Sequence, residues 1–271
     1  MRIGIISSTV DPASNGMAEH IIKEHDFEEK ESGGSAFYES EGIFLYSVGT
    51  ELWRYDQADR LELDLIFFLS RHSSANEVPA LTVHSLGNWN GENKVGGVPR
   101  HLSPVAPLPM LSGFRQLNKI GMGIQKVYEA THHGPLLKTR SFFMEMGGTE
   151  NVVADKRLAA QAGEAAYEAV LESRSGEIDC SKVAIGVGSG HYPGKFSRMA
   201  IEKDYAFSYI MPKYAVYNED GSDNIDMLSQ AVEKSDREPD VAVIDWKGLN
   251  AATRAKVIAA LDDLGLDYEK A

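Results

Sequence analysis

Six continuous apolar runs constrain this chain most: RIGIISS (2–8), DLIFFLS (64–70), ALTVHSL (80–86), SFFMEMG (141–147), KVAIGVG (182–188) and VAVIDW (241–246). Runs of this length suit central strands covered on both faces. Helical patterns lie between them. Asp155 to Ser173 places Leu158, Ala162, Ala165 and Ala169 on one stripe, Ile225, Leu228 and Val232 mark a second helix, and Asn250 caps a last one ending near Gly265. Strands alternating with helices predict an α/β fold over residues 1–271, a single three-layer α/β/α domain with a mixed central sheet.

Other segments give weaker expectations. A short helix is predicted near 15–24, and the acidic, Gly-ended stretch 24–34 reads as an exposed connection. GIFLYSVG and TELWRYD read as short strands, and the Gly- and Asn-rich 87–97 as a lid or substrate loop. Residues 98–114 carry four prolines and read as irregular, with a helix over 114–126. Pro212 breaks the apolar stretch FSYIMPKYAVY.

Composition narrows the chemistry. With 271 residues, 43% of them hydrophobic, the chain buries a sizeable core. A net charge of −13 argues against broad nucleic-acid binding, which needs a basic surface. The single cysteine, Cys180, leaves no disulfide framework and no cysteine-based zinc site, so a bound metal would rest on His, Asp, Glu or water. The N-terminus lacks the plan of a signal peptide, and no apolar run reaches the roughly 18 residues of a membrane span. A soluble, cytoplasmic, monomeric protein is expected.

The histidines stand where a sheet delivers side chains. His72, His84, His132, His133 and His191 follow or end apolar runs beside Gly, Ser or Pro, the edge at which α/β enzymes place their chemistry. His20, His25 and His101 read as solvent-facing. His132 and His133 reach one site only if the Gly134-Pro135 turn rotates the backbone. Glu145 ends the run Phe142-Phe143-Met144, and a carboxylate in such company needs a metal, a histidine, an arginine or its own proton. Glu150 follows Gly147-Gly148 and serves either the site or a helix N-terminus. The stretch GVGSGHYPGK (186–195) fits neither a P-loop nor a nucleophile elbow; its small residues suit an anion or oxyanion site presenting His191 and Lys195. These residues support His/carboxylate chemistry, metal-assisted or general acid–base.

Read together, the opening strand with DPAS, then FLSRHSS, LTVHSLGNW, ATHHGP, MEMGGTE and GVGSGHY, the chain resembles the archaeal and plant type of D-aminoacyl-tRNA deacylase. The matching runs cover residues 1 to about 192 in order. That resemblance implies hydrolysis of the ester joining a D-amino acid to tRNA, and a fold like that of phosphorylases and peptidyl-tRNA hydrolases. It implies Zn²⁺ as cofactor and aminoacyl-tRNA as the partner. It carries functional roles to His72, His84, His132, His133, Glu145, Glu150 and His191, with Gly188 and Gly190 as backbone contacts. His84, His132 and His133 are the expected metal ligands. Ser189 departs from the pattern, where a further glycine is expected.

Binding tRNA at this net charge requires a local basic region. Lys138, Arg140 and Lys195 are expected to touch substrate, and with Arg100, Arg115, Lys119, Lys126 and Arg198 to line one face around the pocket. The rival readings are a nucleoside phosphorylase- or nucleosidase-like enzyme, a peptidyl-tRNA hydrolase-like enzyme, and a non-catalytic RNA- or nucleotide-binding protein with structural histidines.

Overall fold

Each apolar run becomes a strand in the computed structural model, which describes residues 1–32, 35–73, 76–91, 95–218 and 220–271. β1 (Ile3–Ser8) leads through α1 (Pro12–Glu24) to β2 (Glu28–Ser32), β3 (Ser35–Ser40) and β4 (Ile43–Val48). After two 3₁₀ segments come β5 (Leu65–His72), β6 (Ala80–Ser85), the short pair β7 (Gly87–Asn88) and β8 (His101–Leu102), and α2 (Pro107–Asn118). β9 (Gln125–Tyr128), β10 (Arg140–Gly147), α3 (Glu150–Val153) and α4 (Lys156–Ser175) follow. The last third holds β11 (Lys182–Ser189), α5 (Gly194–Glu202), β12 (Tyr205–Pro212), α6 (Leu228–Glu233), β13 (Val241–Ile244), α7 (Ala251–Asp263) and β14 (Tyr268–Lys270).

A large mixed sheet, ordered β2-β3-β4-β1-β5-β10-β6-β9, forms the centre of this α/β fold and is flanked by helices. Its middle strands β4, β1, β5 and β10 run parallel, and β6 and β9 run against them. A smaller parallel sheet, β12-β11-β13-β14, stands beside it. One hydrophobic core joins the two, with α2 packed on both β6 and β12. Among the described residues no helix is long and apolar enough to cross a membrane.

Several local expectations give way to packing. The acidic 24–34 stretch holds β2, whose charged side chains face solvent on both sides while its backbone pairs with β3. TELWRYD forms 3₁₀ segments, Leu52–Arg54 and Asp56–Leu61, and not a strand. The proline-rich stretch contains the start of α2: Pro107 and Pro109 occupy its first turn, where an N–H has no helical acceptor to lose. That helix stops at Asn118, before Gly121 and Gly123, so 114–126 is not one helix, and β9 begins at Gln125. His20 and His25 are not simply solvent-facing, since both Nε2 atoms lie within 3.0 Å of Glu164 Oε2 on α4. The expected lid over 87–97 is described only in part, because 92–94 lie outside the described residues.

Asp11 caps α1, accepting from the Ala13 and Ser14 N–H groups, and its other oxygen accepts from Arg71 N at 2.7 Å. Ser14 Oγ donates to Leu69 O and accepts from Ser8 N. The DPAS run therefore ties the ends of β1 and β5 together and fixes the backbone beside His72.

Gly163 lets α4 cross α1 closely: a Cβ there would sit 2.6 Å from Met17 O. Gly163→Val forces the helices apart and lowers stability by about 1–3 kcal/mol, read from the urea midpoint. An unchanged midpoint would show that the crossing does not need a glycine.

Candidate active site

Period-two alternation decides where the polar residues leave the large sheet. Ile5, Phe67, Val83 and Met144 belong to the core beneath the helices, whereas Ile6, Phe68 and Phe143 turn to the opposite face and a smaller core. His72 lies four residues beyond Phe68 and Glu145 two beyond Phe143, so both share that second face. His84 pairs with Phe143 across β6 and β10 and stacks on its ring at 5.1 Å. His84 thus comes from a strand running against β5 and β10. The shared sheet face, more than a common row of strand ends, gathers the residues.

The segment after β9 completes the cluster. Thr131 is pinned on both sides: its N–H donates to Ile210 O, and its Oγ1 accepts from Ile210 N at 2.9 Å. His132 bridges to Leu86, and Gly87 N donates to His133 O. His133 itself turns into the left-handed region at φ 43°, and this brings both rings to one side with centroids 4.3 Å apart. Gly134 lies against Gly96 and Gly97, where a Cβ would strike Gly97 N at 2.0 Å. Adjacent histidines therefore share a site through backbone rotation at His133.

At the centre stands Glu129, 2% exposed and absent from the sequence-based candidates. His191 Nε2 donates to its Oε2 at 2.8 Å, and His132 Nε2 lies 3.7 Å from the same oxygen. His72 Nδ1 lies 2.9 Å from Oε1, although its N–H is not aligned for a hydrogen bond and that oxygen has no hydrogen-bond partner among the described residues. Glu145 sits 3.6 Å from His72 Nδ1 and 3.6 Å from His84 Nε2. Tyr192 and Tyr214 hydroxyls contact His72 Nε2 and His191 Nδ1 at 3.1 and 3.0 Å. Glu129 was legible as the one acid in YEATHH, immediately upstream of the histidine pair.

Charge follows from this packing. Burial opposes ionisation of both carboxyls, but the hydrogen bond from His191 and the close approach of His72 hold Glu129 well below the usual range, and His72 and His84 lower Glu145. Burial would depress His72; the two carboxylates beside it lift it to about 10. His84 is also raised, Glu145 overcoming its burial. His132 falls well below the ordinary imidazole value and His133 falls to about 4, through desolvation in the cleft and then the neighbouring His84.

Two cavities open on the histidine pair. One, of about 410 Å³, is lined by Glu51, Trp53, Arg71, His72, Glu145 and His191 among others. The other, about 260 Å³, is lined by Asn88, Trp89, Asn90, Thr131 and Tyr214 among others. His132, His133 and Val95 border both. Glu51, Arg71, Tyr192 and Tyr214 carried no sequence signal beyond their residue type.

Some expected residues lie elsewhere. Glu150 is exposed at the first position of α3, capped by Thr149. Gly188, at φ 89°, packs against Leu249, and Ser189 Oγ donates to Gly190 O; neither glycine lines either of these two cavities. The left-handed position falls on Gly188, so Ser189 carries no such demand. Arg140 pairs with Asp236 and Lys195 with Asp245, while Lys138 is held through its backbone N–H on Asp59. Arg100 and Arg115 pair with Asp226 and Asp204. Four of the eight cations expected on the basic face are thus held in ion pairs.

The donor set suits a cation. Nδ1 of His84, His132 and His133 each faces a backbone carbonyl, of Ser85, Ala130 and Gly134. A carbonyl only accepts, so each Nδ1 carries the hydrogen, and in the neutral ring each Nε2 keeps its lone pair. Among the described residues His84 Nε2 is buried without a hydrogen-bond partner, and one ligand atom from each of the three lies within 4.8 Å of the others. Three imidazoles of fixed tautomer match the nitrogen-rich sites that hold zinc.

The sequence profile of the D-aminoacyl-tRNA deacylase family matches residues 59–269. Relatives named D-aminoacyl-tRNA deacylase include those of Thermococcus kodakarensis, 33% identical, covering 97% of this chain and 98% of the relative. The Pyrococcus furiosus relative is 34% identical and covers 98% of each chain. A crystal structure of a conserved protein of unknown function superposes with a TM-score of 0.88 at 27% identity, covering 99% of this chain and 94% of its own.

Because the folded state raises His72, its contribution to stability is whole below the ordinary imidazole value of about 6.5 and fades as pH climbs through about 10. The stability gap between the native chain and His72→Gln, taken from urea unfolding with a chelator present, is expected to shrink between about pH 6 and about pH 10.5. A gap independent of pH would mean that no charged His72–carboxylate contact stabilises the fold.

Proposed function

The chain belongs to the D-aminoacyl-tRNA deacylase family and hydrolyses the ester of D-aminoacyl-tRNA, and we propose that it does so in the cleft built around Glu129, Glu145 and the five histidines. The observation that supports this reading best is the fixed tautomer of His84, His132 and His133, which aims three lone pairs into a cleft backed by two buried carboxylates.

His84, His132 and His133 would hold a zinc ion through Nε2. Such an ion, when bound, polarises an ester carbonyl and lowers the pKa of water. The field of Glu145 that lifts His84 favours positive charge at that nitrogen, whether a proton or a metal.

The protein's own groups supply the rest. Glu145, ionised and lining the larger cavity, takes the proton of the attacking water as its oxygen bonds to the ester carbonyl carbon. When the bond to the tRNA ribose oxygen breaks, the same carboxyl returns that proton to the departing oxygen. Free D-amino acid and tRNA result. Charged His72 offsets the paired carboxylates, so Glu145 stays ionised despite its burial. Glu129 orients His191 and His72, and Tyr214 and Tyr192 engage the remaining nitrogen of each ring. We further place the protein in the cytoplasm, where aminoacyl-tRNA is used.

Purified protein should hydrolyse D-tyrosyl-tRNA at least about 100-fold faster than L-tyrosyl-tRNA. A chelator should remove the activity and added zinc restore it; full activity after exhaustive chelation would sink the metal role. His132→Ala and His133→Ala should each lower kcat/KM by about 10²–10⁴, whereas Glu150→Gln should stay within about threefold of the native rate. Folded histidine variants with unchanged rates would place the chemistry elsewhere.

A further inference from the structure

The two cavities that meet at His132 and His133 differ in chemistry, and an aminoacyl ester has two unlike halves. The larger cavity carries acidic groups, Glu145 and Glu51, with Arg71 3.9 Å from Glu51 and with Trp53 and Phe143 also in its lining. Among the described residues the smaller cavity is lined by no carboxylate and no Lys or Arg side chain; its walls include the amides of Asn88 and Asn90, Trp89, Thr131 and the ring of Tyr214. We propose that the larger cavity takes the D-aminoacyl group and the smaller one the terminal adenosine of tRNA, so that the scissile ester crosses the shared wall. This assignment rests on the deacylase reading of the cleft.

An α-ammonium needs an anionic neighbour. Glu51 is the carboxylate of the larger cavity that no histidine engages in the described structure, since Glu145 lies against His72 and His84. An adenine ring, by contrast, asks for a flat surface and paired donors and acceptors along its edge. A side-chain amide offers both a donor and an acceptor. Asn90 is held in place, its Oδ1 accepting from Asn224 and its backbone O from Arg100 N, and Asn88 Nδ2 is anchored on Gly96 O at 3.0 Å. Tyr214 is 54% exposed, a large aromatic at the mouth of a cavity, steadied by its hydroxyl on His191. Through that bond the base-stacking surface is joined to the His191–Glu129 pair.

Two inhibitors of D-tyrosyl-tRNA hydrolysis separate the halves: adenosine 5′-monophosphate and D-tyrosinamide. Asn90→Ala and Tyr214→Ala should each raise the inhibition constant of the nucleotide about tenfold and leave that of D-tyrosinamide within about twofold. Tyr214→Phe, which keeps the ring, should retain nucleotide affinity while lowering kcat. Glu51→Gln should weaken D-tyrosinamide and spare the nucleotide. The assignment is overturned if the nucleotide fails to inhibit at millimolar concentration, if one variant weakens both probes alike, or if Glu51→Gln weakens the nucleotide. A native chain inactive on D-tyrosyl-tRNA would instead count against the deacylase reading. Calorimetry with the same two probes and variants would then judge the cavities on their own.

Discussion

A carboxylate withdrawn from water survives ionised only if positive or hydrogen-bonding groups surround it, and Glu129 is where this chain meets that demand. Its position is set by the sheet, since Glu129 N donates to Val83 O as β9 ends. Its oxygens then fix His191 and draw in His72 and His132. These three histidines arrive from separate segments of chain. Without the central charge, His72 would lose one of the two carboxylates that favour its protonation, and the cation beside Glu145 would be weakened. The cleft behaves as one electrostatic unit in which each ionisation state supports the next.

The sheet makes such a unit possible by giving its two faces different tasks. One face carries Ile3, Ile5, Phe67 and Met144 beneath the helices and secures the fold. The other carries a smaller core that includes Ile6, Phe68 and Phe143, and beyond it His72, His84 and Glu145. Rigid strands hold the acids and imidazoles from below, and the turn at His133 closes on them from the side. A left-handed histidine is tolerated there because Gly134, pressed against Gly97, and the bridge from Leu86 determine the backbone on both flanks.

The buried strands were legible because apolar runs bounded by turn residues have few other uses in a chain of this kind. The long helix was legible because Asp155 and Gly176 mark its ends, the first as a side-chain cap and the second in the left-handed conformation. What escaped was decided by partners distant in sequence. β2 has no buried side chain and is a strand only through β3. α2 begins at two prolines that a rule about helix interiors misreads. In the cleft, histidines are rare enough to be noticed, and turn residues flank them. Glu129 is one acid among 40 Asp and Glu, and its place three residues before the histidine pair is the one local sign that separates it from a solvated carboxylate. Arg71 and Glu51 become relevant only when β5 and the first 3₁₀ segment meet.

The acidic surface bears on how such a protein handles an RNA substrate. Four of the eight cations expected to form a phosphate-binding face are committed to neighbouring carboxylates, in Arg100–Asp226, Arg115–Asp204, Arg140–Asp236 and Lys195–Asp245. Exposed pairs of this kind contribute about 0–1 kcal/mol each to stability, but they remove charge that counterion release would otherwise exploit. With a net charge of −13, long-range attraction to a polyanion is unfavourable over most of the surface. Affinity in the proposed arrangement therefore comes from short-range contacts at the aminoacyl end: stacking on Tyr214, amide hydrogen bonds from Asn88 and Asn90, and an ammonium beside Glu51. That end is shared by every tRNA, whereas the body and anticodon differ. A site that reads only the shared end can act on many tRNAs, leaving discrimination to the walls around the amino acid.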